Sequence, residues 1–288
     1  MMKKAAVIGS NGQLGTDLCE QLATDYEIVP ITHADLDITD IDSVRKIFTQ
    51  TKPDFVLNTA AFHIVPKCEE VPAQAFAVNG IGTLNLAKVA EELNYTLVQY
   101  STDYVFDGEK RKPYVETDRP NPLNVYANTK LAGEYFALNY CRKNYVIRVS
   151  GIYGKVPSRL KGGNFITTIT KAAKEKPEVR VVNDEMLVPT PTYWIAKNTK
   201  ALLTKDAYGL YHMACKGEVS WYDFTKVIFE TLNIQTPLYP QSVKDTVVNV
   251  KRPFYSVLEN KKLTDLGINN MPFWKDALVS FLKEHFVK

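Results

Sequence analysis

Cysteine is scarce in this chain of 288 residues, which contains only four. They lie far apart, at Cys19, Cys68, Cys141 and Cys215, and no two of them form a CxxC pair. Zinc sites and disulfide frameworks are built from recurrent, closely spaced cysteines, so neither is expected. This cysteine usage fits a reducing cytoplasm, and we assign no metal site.

A large excess of one sign of charge is also lacking. The net charge is +3, and no dense block of lysine and arginine occurs. The electrostatic footprint of a nucleic-acid or membrane partner is therefore not seen. No apolar run approaches a membrane span, and the segment after Met-Met-Lys-Lys is too short for a signal peptide. We expect a cytoplasmic protein that acts on neither kind of partner.

The composition is that of an ordinary soluble protein, with 45% hydrophobic and 23% charged residues. The chain is long enough for one large domain or for two that share a core. Strongly apolar, strand-like runs alternate with helix-like segments: AAVIG, EIVPI, PDFVLNTAA, TLVQYST and YVIRVS. This alternation predicts a doubly wound α/β fold, in which helices cover both faces of a parallel sheet.

The alternation loosens after Ser150, where helices are predicted near Phe165–Lys174, from about Trp221, and in the closing segment MPFWKDALVSFLKEHF. No repeat or low-complexity linker separates the two parts. We expect residues 1–150, with part of 187–205, to form the sheet domain. Residues 151–288 should form mainly a smaller α/β domain packed closely against it.

The segment GSNGQLG places Gly9, Gly12 and Gly15 between the first strand and the first helix. Glycine lets the backbone turn tightly and approach a pyrophosphate, whose charge then meets the free N–H groups of the helix. A GxxGxxG alone is a weak signal, and a structural turn is the alternative interpretation. Its position favours dinucleotide binding, with further candidate residues at Asn11, Gln13 and Leu14.

The second strand should end in an acidic residue if the adenosine ribose is bound in the usual way. The segment PITHADLDI instead offers Thr32 and His33, with carboxylates only at Asp35 and Asp37, and no arginine for a 2′-phosphate. The sequence therefore leaves the choice between NAD and NADP open.

In NVYANTKLAGE, Tyr126 and Lys130 stand four residues apart on a predicted helix, so their side chains are neighbours. The ordinary explanation of such a pair is a surface helix with a lysine that extends into water. Other motifs change this interpretation. The glycine spacing, NTAA (Asn58–Ala61) and NGIGTLNL (Asn79–Leu86) resemble the extended short-chain dehydrogenase/reductases.

Longer stretches resemble the dTDP-4-dehydrorhamnose reductase family in particular, and together they cover nearly the whole chain. They are YSTDYVFDG, NPLNVYANTKLAGE, and the segments Val181–Thr190, Gly209–Phe224 and Lys251–Leu263. The resemblance implies a Rossmann domain that binds NADPH or NADH and a small C-terminal domain that receives a nucleotide-sugar. That family includes magnesium-bridged dimers. Asp17 aligns with one of their acidic residues, but nothing else in the sequence supports a metal. A homodimer is a possible assembly that the sequence leaves open.

By this resemblance the catalytic residues are Thr102, Tyr126 and Lys130. Tyr126 would protonate the alkoxide that hydride transfer creates, and Thr102 would donate to the substrate carbonyl. Lys130 would bind the nicotinamide ribose and, with the oxidised nicotinamide, lower the phenol pKa from about 10. Further cofactor contacts are implied at Tyr126 itself and at Asp37, Ile38, Ala60, Ala61 and Asn79. Substrate contacts are implied at Thr102, Asp103, Tyr104, Asn164, Phe165 and Arg252.

Two comparisons within the resemblance refine the reaction. Related nucleotide-sugar dehydratases carry an Asp-Glu pair after the threonine, whereas this chain has Asp103 and Tyr104, which favours simple reduction over loss of water. The expected sugar pocket departs from the reductases at three places: Gly151 replaces a tryptophan, Pro66 replaces an aspartate, and Phe62-His63 replaces Tyr-Thr. These changes leave the identity of the sugar open, and His63 is given no catalytic role.

Three functions follow as hypotheses. The first is reduction of the 4-keto group of a dTDP-4-dehydro-6-deoxy-sugar, with dTDP-L-rhamnose for a surface polysaccharide as the expected product. The second is a non-catalytic regulatory subunit of the methionine adenosyltransferase beta type, against which the intact Tyr-Lys pair argues. The third is a nucleotide-sugar 4-epimerase, which uses the same pair and retains its cofactor as NAD.

Overall fold

The computed structural model describes residues 2–158, 162–246 and 250–287. Its strands, in chain order, are β1 (Lys4–Ile8), β2 (Glu27–Ile31), β3 (Phe55–Asn58), β4 (Thr96–Thr102), β5 (Asn144–Val149), β6 (Ile152–Tyr153), β7 (Val179–Val182), β8 (Met186–Leu187), β9 (Thr190–Pro191), β10 (Gly209–His212), β11 (Val219–Ser220) and β12 (Leu238–Gln241).

The helices are α1 (Gln13–Leu22), α2 (Ile41–Thr51), α3 (Val65–Glu70), α4 (Pro72–Phe76), α5 (Gly82–Leu93), α6 (Val125–Tyr140), α7 (Phe165–Glu175), α8 (Thr192–Leu202), α9 (Trp221–Thr231), α10 (Lys261–Asp265) and α11 (Trp274–His285). A π-helical turn covers Ala77–Ile81, and short 3-10 helices cover Asp103–Val105 and Val243–Asp245.

Six of the strands form one sheet, in the order β2-β1-β3-β4-β5-β10, and every neighbouring pair is parallel. Successive side chains of a strand point to opposite faces, and β1 shows the result. Ala5 and Val7 pack into one hydrophobic core, while Ala6 and Ile8 pack into the other. Helices α1 and α8 cover the first face, and α2, α5 and α6 cover the second. The predicted doubly wound α/β fold is confirmed.

The strand order reverses around β1, which has β2 on one side and β3 on the other. Ile8, the last residue of β1, pairs with Ile31 of β2 and with Asn58 of β3. Open α/β sheets bind ligands in the crevice beyond the carboxyl ends of such strands. The glycine loop, which follows Ile8, and the chain that follows Asn58 both lie at that crevice.

The chain beyond residue 150 contributes to both parts of the molecule. β10 extends the main sheet beside β5, and α8 packs against α1. The parallel pair β7–β12 and the antiparallel pair β8–β11 form separate small sheets. Helices α7 and α9 pack on β7, and α11 packs on α9. The division into domains at residue 150, with part of 187–205 in the first domain, stays a prediction.

One long helix that the sequence predicts from Ala73 to Asn94 is interrupted. The π-helical turn separates α4 from α5, so that one turn accommodates an additional residue. Such turns occur as single interruptions inside α-helices, frequently at functional sites. Over the described residues, no helix combines the length and the apolar character needed to cross a bilayer.

Candidate active site

The glycine loop has a shape that only glycine permits. Gly9 has a φ of +75°, and a Cβ added to Gly15 would lie 2.1 Å from the carbonyl oxygen of Gly9. Gly12 caps α1 without a side-chain hydrogen bond, and the first turn of α1 carries no acidic residue. The N–H groups at this helix end are therefore open to an anion, as a dinucleotide pyrophosphate requires. The loop fits such a cofactor.

Gln13 and Asn164 connect this loop to the second half of the chain. The Gln13 side-chain oxygen accepts from the Gly154 amide at 3.2 Å and from the Asn164 amide nitrogen at 3.4 Å. Asn164 also caps α7, because its side-chain oxygen accepts from the Thr167 amide at 3.1 Å. Both residues border the crevice, and the binding roles assigned to them stay predictions.

The residues expected at the adenosine end lie beyond β2. Asp37 is exposed, and its Oδ1 accepts from the amide and the hydroxyl of Thr39 at 2.9 and 2.8 Å. Ile38 is buried against Gly82, where an added Cβ would come within 2.6 Å of the Ile38 side chain. The close packing of Ile38 on Gly82 therefore fixes this wall of the crevice. Their contacts to a cofactor stay predictions.

Asn79 holds the chain after β3 against α6. Its side-chain oxygen accepts from the Phe62 amide and its nitrogen donates to the Phe62 carbonyl, both at 2.9 Å. The same nitrogen donates to Thr129 Oγ1 at 3.0 Å, and Thr129 donates to the Tyr126 carbonyl at 2.8 Å. Asn79 thus braces the Ala60–Ala61 segment relative to Tyr126. Cofactor contacts of Asn79, Ala60 and Ala61 stay predictions.

Thr102, Tyr126 and Lys130 come together at the carboxyl end of β4. Thr102 and Lys130 are buried and Tyr126 is half-buried, with its hydroxyl hydrogen-bonded to Thr102. Asn124 caps α6 through a bond from the Ala127 amide, 2.9 Å long, so this helix begins at Val125, one residue before Tyr126. The Lys130 ammonium donates to the Tyr100 carbonyl on β4 at 2.7 Å. Helix α6 and strand β4 therefore assemble the three predicted catalytic residues.

The protein's own groups shift the pKa of Tyr126 upward, and its expected lowering by Lys130 together with the oxidised nicotinamide stays a prediction. Burial raises the pKa of Tyr126 above its ordinary value, and the hydrogen bond with Thr102 lowers it by less. Burial also lowers the pKa of Lys130 to about 8, against the charge of Glu134, which raises it. Removal from water disfavours the charged form of each group and is the largest cause of both shifts. Tyr126 is therefore a neutral phenol at pH 7, the form that can donate a proton.

Asp103 is buried beside this group and is held by hydroxyls from three parts of the chain. Its Oδ1 accepts from Thr102 at 3.1 Å, and its Oδ2 accepts from Ser150 at 2.8 Å and from Ser256 at 2.6 Å. Burial raises the pKa of Asp103 to about 6, although these bonds lower it. Asp103 thus ties the ends of β4 and β5 to the segment after residue 250.

We expect the pH dependence of unfolding to reveal Asp103. A carboxyl whose pKa is raised in the folded state binds more protons there than when unfolded, so stability falls as pH rises. The fall should span pH 4 to 6.5 and total about 3 kcal/mol, from a shift of roughly two pKa units. Urea unfolding of wild type and of Asp103→Asn measures this fall. The free energy of unfolding of wild type should decrease relative to that of the variant as pH rises. A difference that stays constant across that range would contradict it.

Tyr104, Arg252 and Phe165 line the adjoining region. The Tyr104 ring meets Tyr126 edge-on, with centroids 6.2 Å apart. Arg252 lies close enough to Tyr104 to lower its pKa against burial, and within the described residues its buried Nε has no hydrogen-bond partner. Phe165 stacks on Trp221 at 4.2 Å. The structure brings Tyr104 and Arg252 to the catalytic group, and contact of all three residues with a substrate stays a prediction.

Some residues of this region were missed by sequence reasoning. Ser256 lies in the Lys251–Leu263 stretch, which carries the family resemblance, but nothing in the sequence indicated that Ser256 bonds Asp103. His63 bonds across the crevice, with Nε2 at 3.0 Å from Ser158 Oγ. Asp17 is buried and bonds Thr192, and the described chain shows no cluster of three or more residues suited to a metal.

The crevice at the strand-order reversal, its glycine loop and the Thr102–Tyr126–Lys130 group define a dinucleotide-dependent oxidoreductase of the short-chain dehydrogenase/reductase type. Residues 2–287 match the model of the RmlD substrate binding domain. The chain belongs to this family, the family of the dTDP-4-dehydrorhamnose reductases.

Similar proteins extend over almost the full length. The spore coat polysaccharide biosynthesis protein SpsK of Bacillus subtilis is 35% identical over 284 residues, covering 98% of each chain. The structure of a dTDP-4-dehydrorhamnose reductase from Clostridium acetobutylicum is 38% identical, with a TM-score of 0.93, and covers 98% of this chain and 99% of that one. The enzyme of that name from Bacillus anthracis, in complex with NADP, is 33% identical with a TM-score of 0.94, covering 99% and 100%.

Proposed function

We propose that this protein reduces the 4-keto group of a dTDP-4-dehydro-6-deoxy-sugar with NADPH or NADH, and converts dTDP-4-dehydro-L-rhamnose to dTDP-L-rhamnose. The observation that carries the proposal is the convergence of Thr102, Tyr126 and Lys130 at the carboxyl end of β4, beside the glycine loop. The names of the similar proteins, and the NADP in one of them, support the substrate and cofactor.

The side chains account for the proton chemistry. A bound reduced nicotinamide supplies the hydride. Tyr126, held neutral by burial, donates its proton to the oxygen that becomes negatively charged. Thr102 offers a hydroxyl to the same oxygen, and Lys130 binds the cofactor ribose. The protein's part is thus to orient the ketone and to protonate it as it gains hydride.

The surroundings of Asp103 support reduction over elimination. A dehydratase needs acidic groups free to exchange protons with the sugar, whereas all three bonds to Asp103 come from hydroxyls of the protein itself. The next residue, Tyr104, cannot act as a second carboxylate. Arg252, whose buried Nε has no hydrogen-bond partner among the described residues, suits the diphosphate of a nucleotide-sugar.

The sugar pocket is built differently at Gly151, which has a φ of +50°. A Cβ there would lie 3.0 Å from Pro189 Cα, so the tryptophan that the resemblance places at this position does not fit unless the segment before β9 moves. We therefore expect the sugar to be held at this point by contacts other than those of a tryptophan ring.

The test is NADPH and NADH oxidation, followed by absorbance, with a panel of keto-sugar nucleotides. We expect turnover with dTDP-4-dehydro-L-rhamnose. Absence of turnover with every member of the panel would remove the proposal. Recovery of the protein with bound NAD and interconversion of 4-epimers would favour the epimerase, and co-purification with a synthetase would favour the regulatory subunit.

A further inference from the structure

A buried ion pair lies one helical turn beyond Lys130. Both oxygens of Glu134 accept from Arg148 on β5, at 2.9 Å from Nε and 2.6 Å from the second nitrogen. Glu134 is 0% exposed and Arg148 is 2% exposed. Such a pair is costly to remove from water and need not stabilise the fold. Its position, rather than its strength, suggests a role.

Glu134 and Lys130 stand at i+4 and i on α6, so their side chains are neighbours, with roughly 5–6 Å between Cβ atoms. Lys130 is 4% exposed, and its ammonium contacts the Tyr100 carbonyl, which is a neutral acceptor. Arg148 pairs directly with the carboxylate of Glu134, and the buried Lys130 is its neighbour on the same face of α6. Burial alone would favour loss of the proton from Lys130.

We propose that Glu134, anchored by Arg148, is a positioning residue that keeps the buried Lys130 charged for binding the cofactor ribose. Arg148 bonds both oxygens of the Glu134 carboxylate and so holds it in one orientation. The charge of Glu134 is the one that raises the pKa of Lys130 against burial. The part played by Lys130 rests on the proposed function, whereas the electrostatic link between Glu134 and Lys130 does not.

Other ionisable groups surround these residues. On the Tyr126 side lie Asp103, after β4, and Cys68, on α3, and both raise the pKa of Tyr126. Beyond Arg148 lies His212 of β10, with its Nε2 3.4 Å from the guanidinium. Burial and Arg148 lower the pKa of His212 to about 3, so this ring is neutral at pH 7. Glu134 is thus the anion that acts on Lys130.

The test is a direct titration of Lys130 in the full-length protein, labelled with ¹³C at lysine Cε and followed by NMR without substrate. Lys130→Met assigns the signal, whose midpoint in wild type should lie near pH 8. Glu134→Gln removes the charge with little change in shape, and we expect the midpoint to fall by about one pH unit or more, a tenfold change in acidity.

Two further variants separate charge from packing. Glu134→Asp keeps the charge, and its midpoint should stay within about half a unit of wild type, although packing is disturbed. The double variant Glu134→Gln/Arg148→Met removes both partners, an exchange that buried pairs often tolerate. Its midpoint should fall below that of wild type but by less than in Glu134→Gln, because the cation of Arg148 is removed as well. An unmoved midpoint in the folded charge-removing variants would overturn the proposal.

The pH profile of turnover gives a second readout. Where the reductase activity is present, the alkaline limb should move to lower pH with Glu134→Gln and stay in place with Glu134→Asp. If wild type has no reductase activity but the Lys130 midpoint moves as expected, the proposed function fails and the electrostatic role of Glu134 stands.

Discussion

Tyr126→Phe should lower turnover of the 4-keto sugar by about 10²–10⁴-fold, the range that loss of a general acid produces. The substitution removes one oxygen and keeps the ring that meets Tyr104. Binding of the dinucleotide should change little, because the glycine loop and Lys130 are untouched. Steady-state kinetics with NADPH, together with cofactor binding by fluorescence, measure the two effects separately.

A matched control lies on the same helix. Tyr135 is 50% exposed on α6, so Tyr135→Phe makes the same chemical change away from the crevice and should leave both measurements unchanged. Equal turnover by Tyr126→Phe and wild type would show that the proton comes from another group. Loss of cofactor binding together with turnover would show damage to the site rather than loss of an acid.

Gly15→Ala should weaken dinucleotide binding by about 10²-fold, or roughly 2.7 kcal/mol, because the loop that approaches the pyrophosphate is displaced. The new Cβ would lie 2.1 Å from the Gly9 oxygen and 2.9 Å from Ser10 Cα, and both contacts are to backbone. The loop must therefore move. Helix propensity acts in the opposite direction, because alanine is favoured over glycine inside a helix by about 1 kcal/mol. Isothermal titration calorimetry with NADPH and NADH measures the loss.

Gly267→Ala is the control for the general effect of replacing a glycine. Gly267 has a φ of +69°, and an added Cβ meets nothing within 4 Å. This variant should lose about 1–2 kcal/mol of stability from the left-handed backbone conformation, with cofactor binding unchanged. Wild-type affinity in Gly15→Ala would show that the loop does not hold the pyrophosphate.

The sequence was sufficient where local pattern decides structure. Apolar strands of the main sheet, the position of the glycine loop and the four-residue spacing of Tyr126 and Lys130 are all local signals, and the resemblance supplied the family. The sixth strand, β10, was not predicted, because its four residues, GLYH, carry no alternation that distinguishes a sheet edge from a loop. Nor does periodicity reveal the π-helical turn that carries Asn79.

The electrostatics of the site could not be predicted, because they depend on contacts between distant parts of the chain. Asp103 meets Ser256 across 153 positions, and Glu134 meets Arg148 across a helix and a strand. A lowered pKa of Tyr126 was predicted from Lys130 and the oxidised nicotinamide, whereas among the protein's own groups burial has the largest effect and raises it. Spacing thus indicated which residues assemble, and only the fold determines which charges they carry.

Transfer of deuterium from NADPH in which both hydrogens at nicotinamide C4 are deuterium tests the chemistry most directly. If Thr102, Tyr126 and Lys130 form a ketoreductase site, the sugar product should carry one deuterium, bonded to its C4, by mass spectrometry and NMR. A product without deuterium, or a protein that returns its cofactor unchanged after interconverting epimers, would contradict net hydride transfer at this site.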